Sequence, residues 1–536
     1  MSAERCIATL TPLALNTTAP PDAVRFESRG AVLVIGDDAG IAEVVATVAQ
    51  HHRTAAFAPG IDSVRFGSRV TAVGTRVAAL HGRFGAFRAE VRGPDGMKAI
   101  GAASPNRDGL FDLVLDLGRQ PLVAAEVAPL GYFAPGPDAA ARAAAIGTMR
   151  TLVGSFTKPR YFNYQAELCA HGASGLKGCT RCLDVCSTTA ITSAGSQIRV
   201  DPYLCQGCAT CTLACPTGAL SFKMPTREVL HRGLAETLRR PSAPPRPVLV
   251  VHGQAQAEVV HGAAATRDVL TLAAEPLPAF GEESWLEAFA LGAHALVLLD
   301  DERLAPASRA LIGERIAQAR MLLQSLGVPA HRLGFVPVDG LASWLDDLAR
   351  STDAPAGDES GARTAAAPQA PAATKRLALL DAFGRLGSGD AAAAPVELTA
   401  GACLGEVLVD RKRCTLCFAC VNLCPTGALS SDEGGTPRLS FAEDACVQCG
   451  LCERGCPEKA VTLHPRFTPQ AGARGTTRVL NEDELLACTT CGTPFISRKL
   501  LASSFERIKD HPVLAKGGRE RLMTCPACRQ ISLLQV

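Results

Sequence analysis

The sequence predicts a multidomain protein of mixed α/β and α+β class, in which two cysteine-rich modules alternate with two small α/β domains. The chain has 536 residues, more than one hydrophobic core usually supports. Two long segments that are nearly free of cysteine alternate strand-like and helix-like apolar patterns. The expected segments are an α/β domain at 1–155, a cysteine module at 156–225, an α/β domain at 240–350, a flexible linker at 351–375, a second cysteine module at 400–466 and a small metal-binding tail at 480–536.

The charge balance and hydropathy exclude several classes of function. Lys plus Arg number 54 and Asp plus Glu number 52, so the net charge of +2 lacks the basic field that nucleic-acid binding requires. The first twenty residues have no apolar core of signal-peptide length, and no apolar run reaches the roughly 18 residues of a membrane span. We therefore expect a cytoplasmic protein with no membrane span and no nucleic-acid partner.

The first α/β domain begins with a strand, a turn and a helix. The apolar run 31–35 precedes Gly36-Asp37-Asp38 and a helical stretch at 39–49, and residues 111–117 form a later strand. The turn falls short of the G-x-G-x-x-G signature, since only Gly36 and Gly40 match it. We expect a structural turn here rather than a flavin or nucleotide site.

The second α/β domain is predicted from strands at 248–251 and 295–299 and from helices at 285–291 and 305–326, a pattern typical of a parallel sheet. Residues 352–374 are rich in Ala, Pro, Gly and Ser and contain few large apolar side chains. Such a segment cannot bury enough surface to order itself, so we expect it to be a flexible linker.

The second cysteine module contains two complete runs with the spacing C-x2-C-x2-C-x3-C-P. The runs are Cys414, Cys417, Cys420 and Cys424-Pro425, then Cys446, Cys449, Cys452 and Cys456-Pro457. This spacing resembles that of bacterial dicluster ferredoxins, which implies two 4Fe-4S clusters, each bound by three thiolates of one run and the last thiolate of the other. By position, the resemblance assigns Cys414, Cys417, Cys420 and Cys456 to one cluster, and Cys446, Cys449, Cys452 and Cys424 to the other.

The first module follows the same pattern in only one half. Its second run is regular, with Cys205, Cys208, Cys211 and Cys215-Pro216, but the first has Leu176 in place of the leading cysteine, followed by Cys179, Cys182 and Cys186. Cys169 can complete this run if residues 170–176 loop out, with His171 as the competing ligand. We favour one cluster on Cys169, Cys179, Cys182 and Cys215 and another on Cys205, Cys208, Cys211 and Cys186. A three-iron or labile cluster is the rival interpretation.

The two modules also repeat one another. Residues 205–220 read CQGCATCTLACPTGAL and residues 414–429 read CTLCFACVNLCPTGAL, which indicates one ancestral module. The sequence therefore predicts four 4Fe-4S clusters. Ser187 stands where the repeat otherwise has proline after the fourth cysteine, which changes the hydrogen bonding of that loop.

The tail carries a different cysteine quartet. Two C-x2-C pairs, Cys488 with Cys491 and Cys525 with Cys528, are separated by 33 residues. The pattern resembles a zinc ribbon, in which four thiolates close a tetrahedral structural site, and it predicts one zinc ion. A fifth iron-sulfur site, a rubredoxin-like iron and a redox dithiol are the alternatives. The two cysteines outside all runs, Cys6 and Cys403, are expected to be buried or unused thiols.

Two weaker resemblances concern the whole chain. Residues 282–338 are similar to the small delta subunit of methanogen hydrogenases, although that subunit's cluster cysteines have no counterpart here. The order of segments, with 129–135 leading into Phe162-Asn163-Tyr164 and the Cys169 run, is similar to long bacterial 4Fe-4S proteins that accompany formate dehydrogenases. That resemblance implies redox protein partners, with formate dehydrogenase as one of them.

The expected function is the relay of single electrons through iron-sulfur clusters between redox partners. Two alternatives stay open: a flavin- or nicotinamide-linked iron-sulfur oxidoreductase, and an assembly factor for a molybdenum or tungsten oxidoreductase. Since no triad or pair of carboxylates rises above background, we expect no catalytic residues and favour a carrier or subunit over a stand-alone catalyst.

Overall fold

The structure is a computed structural model that describes residues 22–62, 66, 70–239, 245–264, 269–351, 374–387, 394–432, 436–512 and 518–534. Most of the predicted linker, 352–373, and Cys6 lie outside these ranges. Within them, none of the helices combines the length and the apolar character needed to cross a bilayer.

The N-terminal unit is built on a five-stranded parallel sheet of order β4-β3-β2-β8-β9. A second, antiparallel sheet of order β5-β6-β7 packs on it, and β1 pairs with β10. The strands are β1 Val24–Ser28, β2 Ala31–Ile35, β3 Arg53–Phe57, β4 Val70–Val73, β5 Val77–Arg83, β6 Ala86–Gly93, β7 Gly96–Ala99, β8 Leu113–Asp116, β9 Tyr132–Phe133 and β10 Gly154–Lys158; the helices are α1 Ala42–Ala49 and α2 Ala139–Thr151. The predicted strand at 31–35 is confirmed, and the helix after it begins with a 3₁₀ turn at Ala39–Ile41.

The first cysteine module consists of short elements joined by the cysteine loops. Its strands pair as three antiparallel hairpins or ribbons. The elements are β11 Phe162–Tyr164, β12 Gly172–Ala173, β13 Leu176–Lys177, α3 Arg181–Asp184, β14 Ile191–Ala194, β15 Gln197–Val200, α4 Thr210–Ala214 and β16 Leu220–Phe222.

The middle unit is a four-stranded parallel sheet of order β18-β17-β19-β20 with helices packed against it, so the predicted parallel sheet is confirmed. Its strands are β17 Val248–His252, β18 Val269–Ala273, β19 Ala295–Asp300 and β20 Leu333–Pro337. Its helices are α5 Arg227–Leu238, α6 Ala257–Ala264, α7 Glu282–Ala290, α8 Pro306–Ser325, α9 Leu341–Arg350 and α10 Lys375–Leu386.

The second cysteine module and the tail follow. The module contains β21 Val396–Glu397, β22 Gly405–Val409, α11 Ala419–Asn422, β23 Leu429–Ser431, β24 Arg438–Phe441, α12 Leu451–Arg454 and β25 Val461–Phe467. The tail contains α13 Ala471–Gly475, β26 Arg478–Glu482, β27 Leu485–Ala487, β28 Pro494–Ser497, α14 Arg498–Ile508, α15 Arg519–Leu522 and α16 Pro526–Leu534. Strand β26 pairs with β24, so the tail extends a sheet of the module.

One hydrophobic core joins the middle unit to both cysteine modules. It is centred on the fully buried Trp285 and includes Leu213 of the first module and Leu404 and Phe467 of the second. Helix α10 packs along α7, and Phe383 of α10 lies 4.7 Å from Phe467 between ring centroids. The middle unit is therefore the body against which both modules pack.

Candidate metal centres

The three regular cysteine runs share one backbone conformation. In each run the residue before and the residue after the middle cysteine adopt left-handed φ values. These residues are Gly207 and Ala209, Leu416 and Phe418, and Gln448 and Gly450, with φ between 52° and 82°. Left-handed residues are uncommon outside glycine and turn successive backbone N–H groups toward one side, which forms a concavity suited to an anionic group. The irregular run lacks this conformation at Thr180, whose φ is −117°.

The structure gathers the sixteen cysteines of the runs into four groups. We name them site A (Cys169, Cys179, Cys182 and Cys215), site B (Cys186, Cys205, Cys208 and Cys211), site C (Cys424, Cys446, Cys449 and Cys452) and site D (Cys414, Cys417, Cys420 and Cys456). At sites A and D, three cysteines of one run lie around one cavity with the last cysteine of the other run.

Burial and neighbouring thiols raise the pKa of several of these cysteines. Burial raises the pKa of Cys182, and the charges of Cys215, Cys179 and Cys169 raise it further. Burial likewise raises the pKa of Cys420 to about 12, with Cys414, Cys417 and Cys456 adding to it. Burial and nearby thiols also raise the pKa of Cys211 and that of Cys452, and these thiols include Cys182 of site A for Cys211 and Cys420 of site D for Cys452. Four such thiols would ionise together only with a positively charged group between them.

Two of the sites are also visible as cavities. One cavity is lined by all four thiols of site A together with Tyr164 and His171. Another is lined by all four thiols of site D together with Phe418 and Glu458. Each cavity has its thiols around it and buried hydrophobic residues behind it, which is the donor set and setting of an iron-sulfur cluster.

Neighbouring groups donate hydrogen bonds to the ligand sulfurs. The amide of Ala460 donates to Sγ of Cys456 at 3.3 Å, and that of Leu220 lies 3.5 Å from Sγ of Cys215. The side chain of Gln448 donates to Sγ of Cys446 at 3.3 Å. Such bonds favour charged sulfur and are among the features that set the potential of an iron-sulfur site.

At the irregular site, Cys169 and His171 both line the cavity, and they differ in how their ligand atoms are engaged. Nδ1 of His171 donates to the carbonyl of Cys179 at 2.9 Å, and Nε2 lies 2.8 Å from the hydroxyl of Ser193. Both ring nitrogens are thus engaged within the protein, and the buried imidazole positions the Cys179 loop. The segment between Cys169 and Cys179 forms the small hairpin β12–β13, so it loops out as predicted.

The N-terminal unit covers site B. The ammonium of Lys158 donates to the carbonyls of Tyr203 and Cys205, both at 2.7 Å, which places a positive charge beside the site. The amide of Val127 donates to the carbonyl of Ser187, the residue that replaces proline, at 3.0 Å. The hydroxyl of Ser187 is buried without a hydrogen-bond partner.

The tail brings its four cysteines much closer together than the runs do. Among the described residues, Cys488, Cys491, Cys525 and Cys528 form the one group whose ligand atoms all lie within 4.8 Å of one another. Although burial opposes ionisation, backbone amides of Cys525, Cys491 and Thr490 lower the pKa of Cys488 to about 6. A closely spaced quartet with a ready thiolate suits a single ion, whereas a cluster of four irons needs its thiols further apart.

Only one of the two cysteine pairs in the tail site has the local structure of a zinc ribbon. Its first cysteine pair follows strand β27 of the β27–β28 hairpin, as a ribbon requires. Its second pair straddles the start of helix α16, whose first residue is Pro526. The spacing of the cysteines did not distinguish a helix from a second hairpin at this position.

Comparison with known proteins finds an iron-sulfur domain in each cysteine module, with the run from Cys169 to Cys186 outside the matched residues. A model described as a 4Fe-4S dicluster domain matches residues 413–460, and a model described as a 4Fe-4S binding domain matches residues 198–221. The chain is 38% identical over 69 residues to a ferredoxin of Pyrobaculum islandicum. That match covers 13% of this chain and 63% of the relative.

Two further relatives are similar to part of the chain. A polyferredoxin-like subunit of an aliphatic sulfonate oxidoreductase from Pyrococcus furiosus is 46% identical over 81 residues, which are 15% of this chain and 38% of that protein. An uncharacterised ferredoxin of Methanocaldococcus jannaschii is 33% identical over 60 residues, which are 11% of this chain and 77% of that protein.

The cysteine modules and the matched domains together define a protein with ferredoxin-type 4Fe-4S domains. Through these modules the chain belongs to the ferredoxin family. The family accounts for a small part of the chain, and the two α/β units and the tail lie outside the matched domains.

Proposed function

We propose that the protein relays single electrons through four 4Fe-4S clusters bound at sites A, B, C and D, and that it carries one zinc ion on the tail quartet. Each cluster, when bound, supplies a one-electron redox centre. The observation that carries the proposal is the gathering of four thiols from two runs around one cavity, at site A and again at site D.

The turn after the first parallel strand of the N-terminal unit favours an electron carrier over a flavin- or nicotinamide-linked enzyme. In dinucleotide-binding sheets, the pyrophosphate lies at the N-terminus of the helix after the first strand of the fold. Here Oδ1 of Asp38 accepts the amide of Gly40 at 2.8 Å at that position, and the neighbouring Asp37 pairs with Arg76 at 3.0 Å. Two carboxylates in this turn would repel a pyrophosphate.

We propose a larger oxidoreductase as the partner. The Pyrococcus furiosus relative is named as a subunit of an oxidoreductase, which supports a similar role as a subunit here. Formate dehydrogenase is the partner we propose, because the order of segments resembles that of proteins accompanying this enzyme. The described cysteines are all free thiols, which fits a reducing cytoplasmic location.

Metal analysis of the anaerobically purified chain tests the proposal. We expect about sixteen irons, about sixteen sulfides and about one zinc per chain, and EPR signals that appear stepwise on reduction. About eight irons would contradict the first module as a two-cluster unit.

Anaerobic co-purification with formate dehydrogenase, followed by reduction of the clusters on adding formate, tests the partner. Formate dehydrogenase that is purified without metal when the gene is deleted would instead favour the assembly factor.

A further inference from the structure

The two cysteine modules meet through the loops that carry their ligands. Nη2 of Arg454 donates to the carbonyl of Cys449 in site C at 2.8 Å and to the carbonyl of Gly178 at 3.1 Å. Gly178 immediately precedes Cys179 of site A. A single nitrogen atom therefore contacts the ligand loop of each module.

A second arginine makes the reciprocal contact. Nη1 of Arg181 lies 3.9 Å from Sγ of Cys179 and donates to the carbonyl of Val447, between Cys446 and Cys449, at 3.2 Å. Its Nη2 donates to the carbonyls of Gly401 and Ala402 at 3.0 and 3.1 Å. Arg181 thus donates to three carbonyls of the second module and also to a sulfur of the first.

The irregular run packs directly into this junction. A Cβ atom placed on Gly178 would lie 2.7 Å from Cγ of Leu451, so glycine allows the close approach of the two loops. A Cβ atom on Gly455 would lie 3.0 Å from Cδ1 of Leu176. Leu176, which stands where the leading cysteine belongs, therefore packs against the second module.

We infer that electrons pass through the sites in the order B, A, C and D. Arg181 and Arg454 are positioning residues that hold sites A and C next to each other, and this contact links the two modules. This inference rests on the proposed function and adds the order in which electrons pass from site to site. Sites B and D are the outer members, because the N-terminal unit covers site B and the tail contacts the loop of site D through Ser497, whose hydroxyl donates to the carbonyl of Thr415.

The exchange between neighbours is a simple redox step. One electron leaves the reduced site and enters the oxidised site, so one is oxidised as the other is reduced, and no bond or proton is involved. Electron tunnelling falls steeply with distance, so only adjacent sites exchange rapidly. External redox proteins supply and remove electrons at the outer sites.

Selective removal of ligands tests the order in the full-length chain. Cys205→Ala/Cys208→Ala combined with Cys414→Ala/Cys417→Ala leaves sites A and C. Cys169→Ala/Cys179→Ala combined with Cys446→Ala/Cys449→Ala leaves sites B and D as the matched control. Each protein should hold about eight irons. After full reduction, we expect spin–spin splitting of the EPR signal with A and C, and two additive signals with B and D.

The outcomes separate the route from the proposed function. Additive signals from A and C in a protein that holds about eight irons would overturn the order while leaving the four clusters in place. Loss of the iron-sulfur signals from the unaltered chain would instead contradict the proposed function.

A second measurement keeps all ligands intact. Arg181→Ala/Arg454→Ala removes the junction contacts, and Arg320→Ala, which removes a bond to the carbonyl of Leu333 in the middle unit, is the control. After a pulse of less than one electron per chain, freeze-quench EPR follows the redistribution of the electron. We expect the junction variant to slow redistribution between modules several-fold with unchanged iron content. Redistribution as fast as in the control would overturn the role of the two arginines.

A separate observation concerns the protein surface at site D. Among the described cluster ligands, Cys417 is the only exposed cysteine. Three exposed basic residues, Arg411, Lys412 and Arg413, immediately precede this ligand loop. The carboxylate of Asp410 accepts the amide of Lys412 at 2.9 Å, and the ammonium of Lys499 lies 3.3 Å from the carbonyl of Arg411.

We propose that this basic surface around Cys417 is the docking site for an acidic redox protein. Charge complementarity accelerates association between redox partners, and an exposed ligand shortens the path for the electron. The proposal does not depend on the order of the sites.

Stopped-flow reduction by a small acidic ferredoxin, reduced beforehand, tests the docking site. Lys412→Glu/Arg413→Glu should lower the second-order rate constant about tenfold at low salt and abolish its decrease with ionic strength. Arg88→Glu/Arg92→Glu, which reverses two exposed charges on β6, is the matched control. Equal rates for the two variants would exclude this surface as the docking site.

Discussion

The guanidinium of Arg376 donates to the carbonyl oxygen of Cys446, a cysteine of site C, at 2.8 Å. The same buried side chain donates to the carbonyls of Asp444 at 2.9 Å and Cys403 at 3.1 Å. Its neighbour Lys375 donates to the carbonyls of Thr212 and Leu213 in the first module at 2.9 and 2.8 Å. Two consecutive residues at the start of α10 thus bind one module each.

Arg376→Met should destabilise the second module. The substitution leaves three carbonyls without their donor, so we expect a loss on the order of 3 kcal/mol in the free energy of unfolding, measured with urea under anaerobic conditions. Arg411→Met, which removes one exposed bond to the carbonyl of Leu480, should cost less than about 0.5 kcal/mol. Equal losses in the two variants would contradict the structural role of Arg376.

The same substitution should lower the reduction potential of site C. Burial raises the pKa of Cys446 to about 11, and the charge of Arg376 opposes that rise by stabilising negative charge on the sulfur. Reduction adds negative charge, so removing the arginine disfavours the reduced state. A redox titration followed by EPR measures the shift, and a potential that rises instead of falling would disprove this reasoning.

Cys169→Ala and His171→Gln should have different effects on iron content. Loss of Cys169 removes a thiol of site A, so we expect about four fewer irons per chain or a three-iron EPR signal in the oxidised protein. His171→Gln keeps all sixteen thiols and should retain the full iron content, although the Cys179 loop loses a hydrogen bond. Iron loss confined to the histidine variant would make His171 the ligand.

Cys525→Ala should remove zinc without affecting iron. Because Cys525 belongs to the tail quartet, bound zinc should fall from about one per chain to nearly none, as measured by mass spectrometry of the metal content. Cys403→Ala replaces another buried cysteine and serves as the control, since it should leave both metals unchanged. Iron in place of zinc in the unaltered tail would support the rubredoxin-like alternative.

His464 should make stability depend on pH. Its imidazole pairs with Glu406 at 3.1 Å and Glu397 at 2.8 Å, and these hydrogen bonds raise its pKa above the ordinary value near 6.5. The folded state therefore favours the protonated form. The contribution of His464 to the free energy of unfolding is fully present below pH 6.5 and disappears as the pH rises through the raised pKa.

The pH effect is measured by thermal unfolding of His464→Gln. The variant should be less stable than the unaltered chain at pH 6 and nearly equal to it at pH 9, with a difference of no more than about 1 kcal/mol because water screens this exposed pair. His81→Gln, which replaces an exposed histidine on β5 outside this cluster, is the matched control. A difference that grows with pH would have the wrong sign for this explanation.

The cysteine loops were predictable from sequence because their chemistry is local. A spacing of two residues brings the first three sulfurs of a run together, whereas the crossing of the fourth cysteine was implied by the resemblance to dicluster ferredoxins. The strands at 31–35 and 295–299 were equally predictable, since continuous apolar runs mark buried parallel strands.

The junction was not predictable, because it depends on contacts between residues far apart in the chain. Arg181 contacts Val447, and nothing periodic in either segment indicates that pairing. The contact of Leu176 with the second module was not predictable for the same reason. As a missing ligand it suggested a defective site, whereas in three dimensions it is an apolar contact between modules.

The contact at Gly178 also changes the kinetics expected of two ferredoxin modules in one chain. The whole middle unit separates the modules in sequence, and modules joined by such a length of flexible chain would exchange electrons only on chance encounters, at a rate set by their effective concentration. Modules packed loop against loop have no encounter step. Their exchange is unimolecular, independent of viscosity, and insensitive to the length of the segment at 352–373.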